Sequence, residues 1–289
     1  MDFSVMTTSF PVDHITYEEI KQLCDDCFEI DGVHYDSVMN LPVAKDINAK
    51  GFFVLIYNDT EDKLVAVASA IDLMGLNTYE WSILVLPIYR NIGLGATLYN
   101  SLQKALEVRG AAGQLALMME NNKSYGMKFL KDRNYHYCFS EATLEAKTEL
   151  SDLPEHIVIR PYNTLDTGKL VEVFCEAFGD EPDEALDLID YNSTNEELLL
   201  WVAEIDGEVV GTVTTRKEGD SQWITALAVH PSVERQGIGS TLIHFVKQFA
   251  YNQGEHYVKL DVELKNERAL TIYNKTGFIK MAQIDYYAL

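Results

Sequence analysis

At 289 residues the chain is long enough for two domains, each able to bury a core of its own. A formal net charge of −22, from 45 acidic against 23 basic residues, repels phosphate backbones and anionic lipid. Nucleic acid and membrane surfaces are thereby excluded as partners, and a cationic small molecule or basic peptide is favoured. A hydrophobic content of 47%, the lack of any apolar run near the ~18 residues of a membrane span, and a start from Met1 to Val5 without a basic-then-apolar leader predict a cytoplasmic globular protein.

Taken in chain order, Cys24-Asp25-Asp26-Cys27 is a lone CxxC whose thiols share one face if the segment is helical. With Cys138 and Cys175 it has the spacing of neither a disulfide framework nor a zinc site, which predicts packed reduced thiols and no metal. Strand-like runs follow at 52–57, 64–71 and 79–86, then a helix carrying Leu98, Leu102 and Ala105, a strand at 114–119, a helix at 124–131 and a strand at 135–145. Ser151-Asp152-Leu153-Pro154 breaks the periodicity and sets an expected boundary between domains at 1–150 and 155–289. Past it, 156–161 reads as a strand, and Leu170, Val171, Phe174 and Phe178 sit at helical spacing within 167–178. The runs 198–205 and 209–215 flank Asp206-Gly207, a two-residue hairpin signal. A strand at 223–229, a helix carrying Leu242, Phe245, Val246, Phe249 and Ala250, an alternating strand through Val258, Leu260, Val262 and Leu264, a helix at 267–275 and a closing strand at 278–287 complete the chain.

One phrase occurs twice, as Arg90-Asn91-Ile92-Gly93-Leu94-Gly95 and Glu234-Arg235-Gln236-Gly237-Ile238-Gly239, with Gly93 and Gly237 144 positions apart (237 − 93). Each copy follows a strand and a proline and precedes an amphipathic helix, so the chain reads as two copies of one mixed α/β fold. A strand entering glycines and then a helix presents backbone N–H groups at the positive end of the helix dipole, an anion site where a Cβ would block a phosphate. Neither the GxxxxGK[ST] loop nor the GxGxxG fingerprint is present.

Arg90-x-x-Gly93-x-Gly95 matches, and Glu234-x-x-Gly237-x-Gly239 matches in all but its first residue, the Gln/Arg-x-x-Gly-x-Gly/Ala acyl-CoA loop of the GCN5-related N-acetyltransferases. Asn266-x-x-Ala269-x-x-x-Tyr273-x-x-x-Gly277-Phe278 resembles the second signature of that family. The resemblance covers nearly the whole chain as two tandem acyl-CoA N-acyltransferase domains, the first degenerate and the second catalytic. It implies acetyl-CoA as cosubstrate, with its pantetheine arm beside Leu227-Ala228-Val229 and its diphosphate on the amides of Arg235, Gln236, Gly237, Ile238, Gly239, Ser240 and Thr241. It further implies an N–H near Val229 polarising the thioester carbonyl, Asn266 touching pantetheine or orienting the last helix, and Tyr273 as general acid. The acceptor is then a primary amine of a small molecule or peptide.

The departures shape the rest of the expectation. Glu234 places a carboxylate beside the diphosphate, with Arg235 next to it as the offset. Thr225 stands where relatives often carry a glutamate base, leaving a bound water, Asp261 or Glu263 to take the proton. In the first copy, Arg90, Gly93 and Gly95 form the loop, but Phe129 holds the tyrosine position and Asn122 or Lys123 only approximates the asparagine. That copy is a ligand-binding or structural partner. The acids of Gly179-Asp180-Glu181-Pro182-Asp183-Glu184 suit an ammonium acceptor or an ordinary exposed loop. A non-catalytic acyl-CoA-binding or sensing module is the alternative function, and the oligomeric state is left open.

Overall fold

The computed structural model describes residues 2–120 and 125–289. The chain divides into two units, residues 1–140 with 283–289 and residues 141–282, rather than at a single point near 150.

Unit 1 runs β1 (Phe3–Ser9), α1 (His14–Asp31), β2 (Lys50–Asn58), β3 (Lys63–Asp72), β4 (Thr78–Val85), α2 (Leu94–Val108), β5 (Gly113–Met119), α3 (Tyr125–Lys131) and the start of β6 (His136–Lys147). Helix α1 starts where the Asp13 carboxylate accepts from the Ile15 and Thr16 amides, and it stops at Gly32, whose φ of 68° only glycine adopts cheaply. Ile20, Leu23, Cys24 and Cys27 form its buried stripe. Both cysteines of the CxxC are free and buried, and desolvation pushes their thiols up, that of Cys27 to about 12, which keeps them protonated and inert. Strands β2 and β3 are buried on both faces, with Phe52, Phe53, Leu55 and Ile56 fully enclosed.

Unit 2 continues with the rest of β6, then β7 (Val158–Pro161), α4 (Thr167–Phe178), α5 (Pro182–Thr194), β8 (Leu198–Ile205), β9 (Glu208–Glu218), β10 (Ser221–Val229), α6 (Ile238–Asn252), β11 (Tyr257–Glu263) and α7 (Glu267–Lys275). β12 (Ile279–Ala288) follows. Asp206 and Gly207 both have positive φ, 52° and 86°, the turn that the hairpin signal requires. On one face, Leu242, Ile243 and Val246 of α6 pack on Val213, Ile224, Val258 and Leu260. On the other, Leu170, Val173 and Phe174 of α4 with Ala185 and Ile189 of α5 cover Leu200, Val202, Val209 and Ala228.

The strands of each unit follow one plan: an antiparallel run, then one parallel pair, then a final antiparallel strand. In unit 1 the order is β1-β2-β3-β4-β5 with β12 against β5, in the register Ile284 to Tyr287 on Met119 to Ala116. In unit 2 it is β7-β8-β9-β10-β11 with β6 against β11, in the register Glu141 to Lys147 on Glu263 to Tyr257. The strand at the end of the chain therefore completes the sheet of unit 1, and the last strand of the first copy completes that of unit 2. This corrects the expectation that 278–287 closes the second domain. Alternation within a strand states which face is buried but not which sheet receives it, and two like copies offer like edges.

The acidic segment after α4 is also not a plain loop. Glu181 caps α5 reciprocally with Glu184, and Pro182 occupies its first turn. These acids complement a helix N-terminus, which accounts for their clustering.

Candidate active site

In each unit the two parallel strands pair only over their first half and then part. β10 and β11 are in register from Ser221 and Tyr257 to Ile224 and Leu260, and no pairing follows. β4 and β5 pair from Thr78 and Gly113 to Trp81 and Ala116. A gap thus opens toward the end of β10 at which the glycine turn stands. Its backbone lining follows from strand alternation. The His230 amide donates to Val210 O, so the N–H and C=O of Val229, one residue earlier, face away from β9 and into the gap, as do those of Leu227. Ala228 points its backbone to β9 and its buried side chain to α4, and so serves as frame. A bulge between Ile224 and Ala226 lies at the apex of the gap.

The turn is built from alternating backbone hands. Arg235 and Gly237 have φ of 60° and 85°, and α6 begins at Ile238 with no side-chain cap. The first intrahelical bond near this end runs from Thr241 N to Gly237 O, so the amides of Ile238, Gly239 and Ser240 lack partners within the helix and aim toward the end of the gap. The Thr241 hydroxyl also donates to Gly237 O at 3.0 Å, which makes Thr241 part of the turn's frame. The Glu234 carboxylate pairs with Arg268 of α7. Arg268, not Arg235, is the offsetting cation, a residue that the sequence pattern did not single out.

Helix α7 is held at both ends. The Asn266 side chain accepts from the Ala269 amide at 3.1 Å, so of its two expected roles the helix-orienting one is formed. At the other end, Lys247, 4% exposed, donates to Thr276 O at 3.1 Å and pairs with Glu149, whose carboxyl it pulls below the usual range. Between these clamps Tyr273 is 9% exposed, its ring 5.6 Å from that of Phe278. Burial pushes its phenol up from the ordinary value, so the hydroxyl holds its proton at neutral pH. A Cβ on Gly239 would meet Ile272 at 3.7 Å and Val229 at 3.8 Å, so the turn, the gap strand and α7 converge at one point.

Unit 1 repeats the frame with other contents. Asn91 and Gly93 have φ of 64° and 99°, α2 likewise starts without a side-chain cap, and the Leu86 amide donates to Val65 O, which aims Val85 into the gap. Here, however, Arg90 turns inward. Its Nε donates to Val85 O at 2.9 Å, and its two terminal nitrogens grip Asp31, whose side chain is 1% exposed and also accepts from the Tyr35 hydroxyl. A cavity of about 400 Å³ occupies the parting of β4 and β5, lined among others by Ile83, Val85, Gly95, Met118, Tyr125 and Phe129. Phe129 fills the position equivalent to Tyr273 and carries no proton to give. Asn122 and Lys123 lie outside the described residues.

The acetyltransferase (GNAT) family model matches residues 17–130 and again 167–278. The chain belongs to this family. A structure titled as a GCN5-related N-acetyltransferase from Sphaerobacter thermophilus superposes with a TM-score of 0.75 at 19% identity, over 98% of this chain and 94% of that one. A tandem GNAT protein from the clavulanic acid biosynthesis pathway gives 0.72 at 10% identity, over 99% and 98%. At these identities the likeness is one of fold, and the fold is a tandem GNAT architecture. In sequence, N-acetyltransferase 8 of Mus musculus is 37% identical over 89 residues, and the match spans 29% of this chain and 39% of that protein. Among the described residues no helix is long and apolar enough to cross a membrane, and no cluster of His, Cys, Asp or Glu could hold a metal ion.

Proposed function

We propose that the protein is an acetyl-CoA-dependent N-acetyltransferase whose transfer site lies in unit 2, acting on a primary amine of a small molecule or peptide. The observation that carries this reading is the convergence of three elements on one gap. These are the inward backbone of Leu227 and Val229, the uncapped turn from Arg235 to Ser240, and Tyr273 on the clamped helix α7.

The residues fit the carrier. Amides at a helix N-terminus bind a diphosphate through dipole and hydrogen bond together, and the unpaired edge of β10 offers a peptide-like arm the bonds of a missing strand. Acetyl-CoA supplies the activated acyl group. The Val229 N–H, already oriented by the sheet, stabilises charge on the thioester oxygen, a contribution of about 3 kcal/mol per donor in enzymes where one has been removed. Tyr273 gives its proton to the departing sulfur, whose thiol has a pKa near ~8.5 against ~10 or above for the phenol. Arg268 cancels most of the repulsion that Glu234 would exert on the diphosphate.

Unit 1 supports a second reading for that unit alone. With a cavity in the same place, Phe129 for tyrosine and Arg90 locked on Asp31, it is an acyl-CoA-binding or sensing module without transfer chemistry.

The test is thiol release from acetyl-CoA over a panel of diamines, polyamines, amino sugars and peptides. The transfer reading expects release with at least one amine and a loss on the order of 10²-fold in kcat for Tyr273→Phe. Equal turnover by wild type and Tyr273→Phe removes the phenol from the mechanism.

A further inference from the structure

The proton acceptor is the unassigned partner of this reaction, and the two faces of the unit 2 sheet separate its candidates. Tyr273 belongs to the face packed by α6 and α7, with Ile238, Leu242 and Leu260. Along β11, Lys259, Asp261 and Glu263 alternate with buried Val258, Leu260 and Val262 and so project to the opposite face. On that face α4 and α5 reach only as far as Ala228 of β10, and Asp261 is exposed.

Asp261 is the first residue of β11 beyond its last pair with β10, beside the bulge at the apex of the gap. A carrier whose diphosphate sits on the turn at the wide end directs its acyl tip toward that apex. An amine entering over the open face would meet the acyl carbon with Asp261 on its own side and Tyr273 on the far side, the order an attacking group and a leaving group need. We propose that the amine acceptor enters over this face and that Asp261 takes its proton, an inference that rests on the transfer reading above. The ammonium N–H breaks and the proton goes to Asp261 Oδ2. The freed lone pair forms the C–N bond as the C–S pair returns to sulfur, which takes the Tyr273 proton. The second amine proton leaves to solvent, and solvent reprotonates the phenolate.

The surroundings distinguish Asp261 from Glu263. Glu263 is paired with Lys265 at 2.8 Å. Asp261 spends only Oδ1, which accepts from the Thr143 hydroxyl at 2.6 Å, and Oδ2 has no partner among the described residues. Charged groups on this face among the described residues include Arg216 and Glu218 of β9, themselves paired, Lys259 paired with Glu145, and Glu141 beside Glu263 in register. Asp261 keeps access to solvent, yet the protein groups crowded around its carboxyl push it up, with a smaller push from Glu218, against the lowering pull of the Thr143 hydrogen bond. A raised carboxylate is a stronger base at neutral pH and places the acid limb of the rate profile above the ordinary carboxylate range.

The test uses the full chain with the best amine of the panel. Asp261→Asn is expected to lose at least 10²-fold in kcat at pH 7 and to lose the acid limb of the kcat/KM profile, with calorimetric acetyl-CoA affinity within twofold of wild type. Asp261→Glu should recover part of the rate. Thr143→Val should move the acid limb to higher pH, and NMR titration of the Asp261 carboxyl without any ligand should show the same upward move. Wild-type kcat and acid limb in Asp261→Asn, or a carboxyl titrating at or below the usual aspartate value, would overturn the inference while leaving transfer in unit 2 intact. Absence of thiol release from wild-type protein would overturn both.

Discussion

The two glycine turns have nearly the same backbone and opposite allegiances. In unit 1, Arg90 satisfies Val85 O and a buried carboxylate, so the cation nearest the turn serves the fold. In unit 2, Glu234 stands in the same place and cannot donate, so the Val229 carbonyl stays open to the gap and the compensating cation arrives from α7 as Arg268. The strands differ in the same sense. β10 carries a bulge at the apex, whereas β4 pairs with β3 from Glu80 to Val85 without a shift. Closeness to the loop consensus and the presence of a phenol near the turn are therefore separate matters in this chain. The better match belongs to the turn whose arginine is internally committed, and the poorer one sits beside the phenol.

The two units should differ most at Tyr273. Its change to Phe should cost on the order of 10²-fold in kcat with unaltered acetyl-CoA affinity, and adding Phe129→Tyr in that background should restore nothing, because β4 lacks the bulge. Recovered thiol release in the double variant would place transfer in unit 1. Next in size are Gly237→Ala and Gly93→Ala. Each forces a Cβ into positive φ at a cost of roughly 1–2 kcal/mol, seen as a fall in melting temperature of about 2–4 °C per kcal/mol. Both should melt earlier, but only the unit 2 variant should lower kcat/KM for acetyl-CoA. Arg268→Ala comes third. It exposes the diphosphate to the Glu234 carboxylate, about 1 kcal/mol at ~4 Å in water, or near fivefold in acetyl-CoA affinity by calorimetry. Glu234→Gln in that background should return the affinity. Last, Glu234→Gln alone should tighten acetyl-CoA binding by at most about fivefold, since it frees the Arg268 charge that Glu234 now holds.

Local pattern made much of the frame legible. The ranges of α4, α7 and β8 agree with those read from periodicity and turn signals, and the paired phrase located both turns. What escaped was relational. The exchange of β6 and β12 depends on which edge a strand meets, and nothing within either strand encodes that. Strand β1, mostly exposed, lacks alternation, and in α1 the two cysteines belong to an apolar stripe with Ile20 and Leu23 whose helical spacing carries the signal. The acids at 180–184, expected as an ammonium-facing wall or an exposed loop, carry the proline and capping signature of a helix start. At the site, Arg268 is 34 positions from Glu234 (268 − 234), beyond any spacing rule, and the commitment of Arg90 to Asp31 spans 59 (90 − 31).

The decisive experiment is a crystal structure with acetyl-CoA bound. Transfer in unit 2 requires the diphosphate on the amides from Arg235 to Ser240, the thioester oxygen within hydrogen-bond reach of the Val229 N–H, and the sulfur within reach of the Tyr273 hydroxyl. Acetyl-CoA found only between β4 and β5 of unit 1, with the turn at Gly237 bare of it, would overturn that assignment.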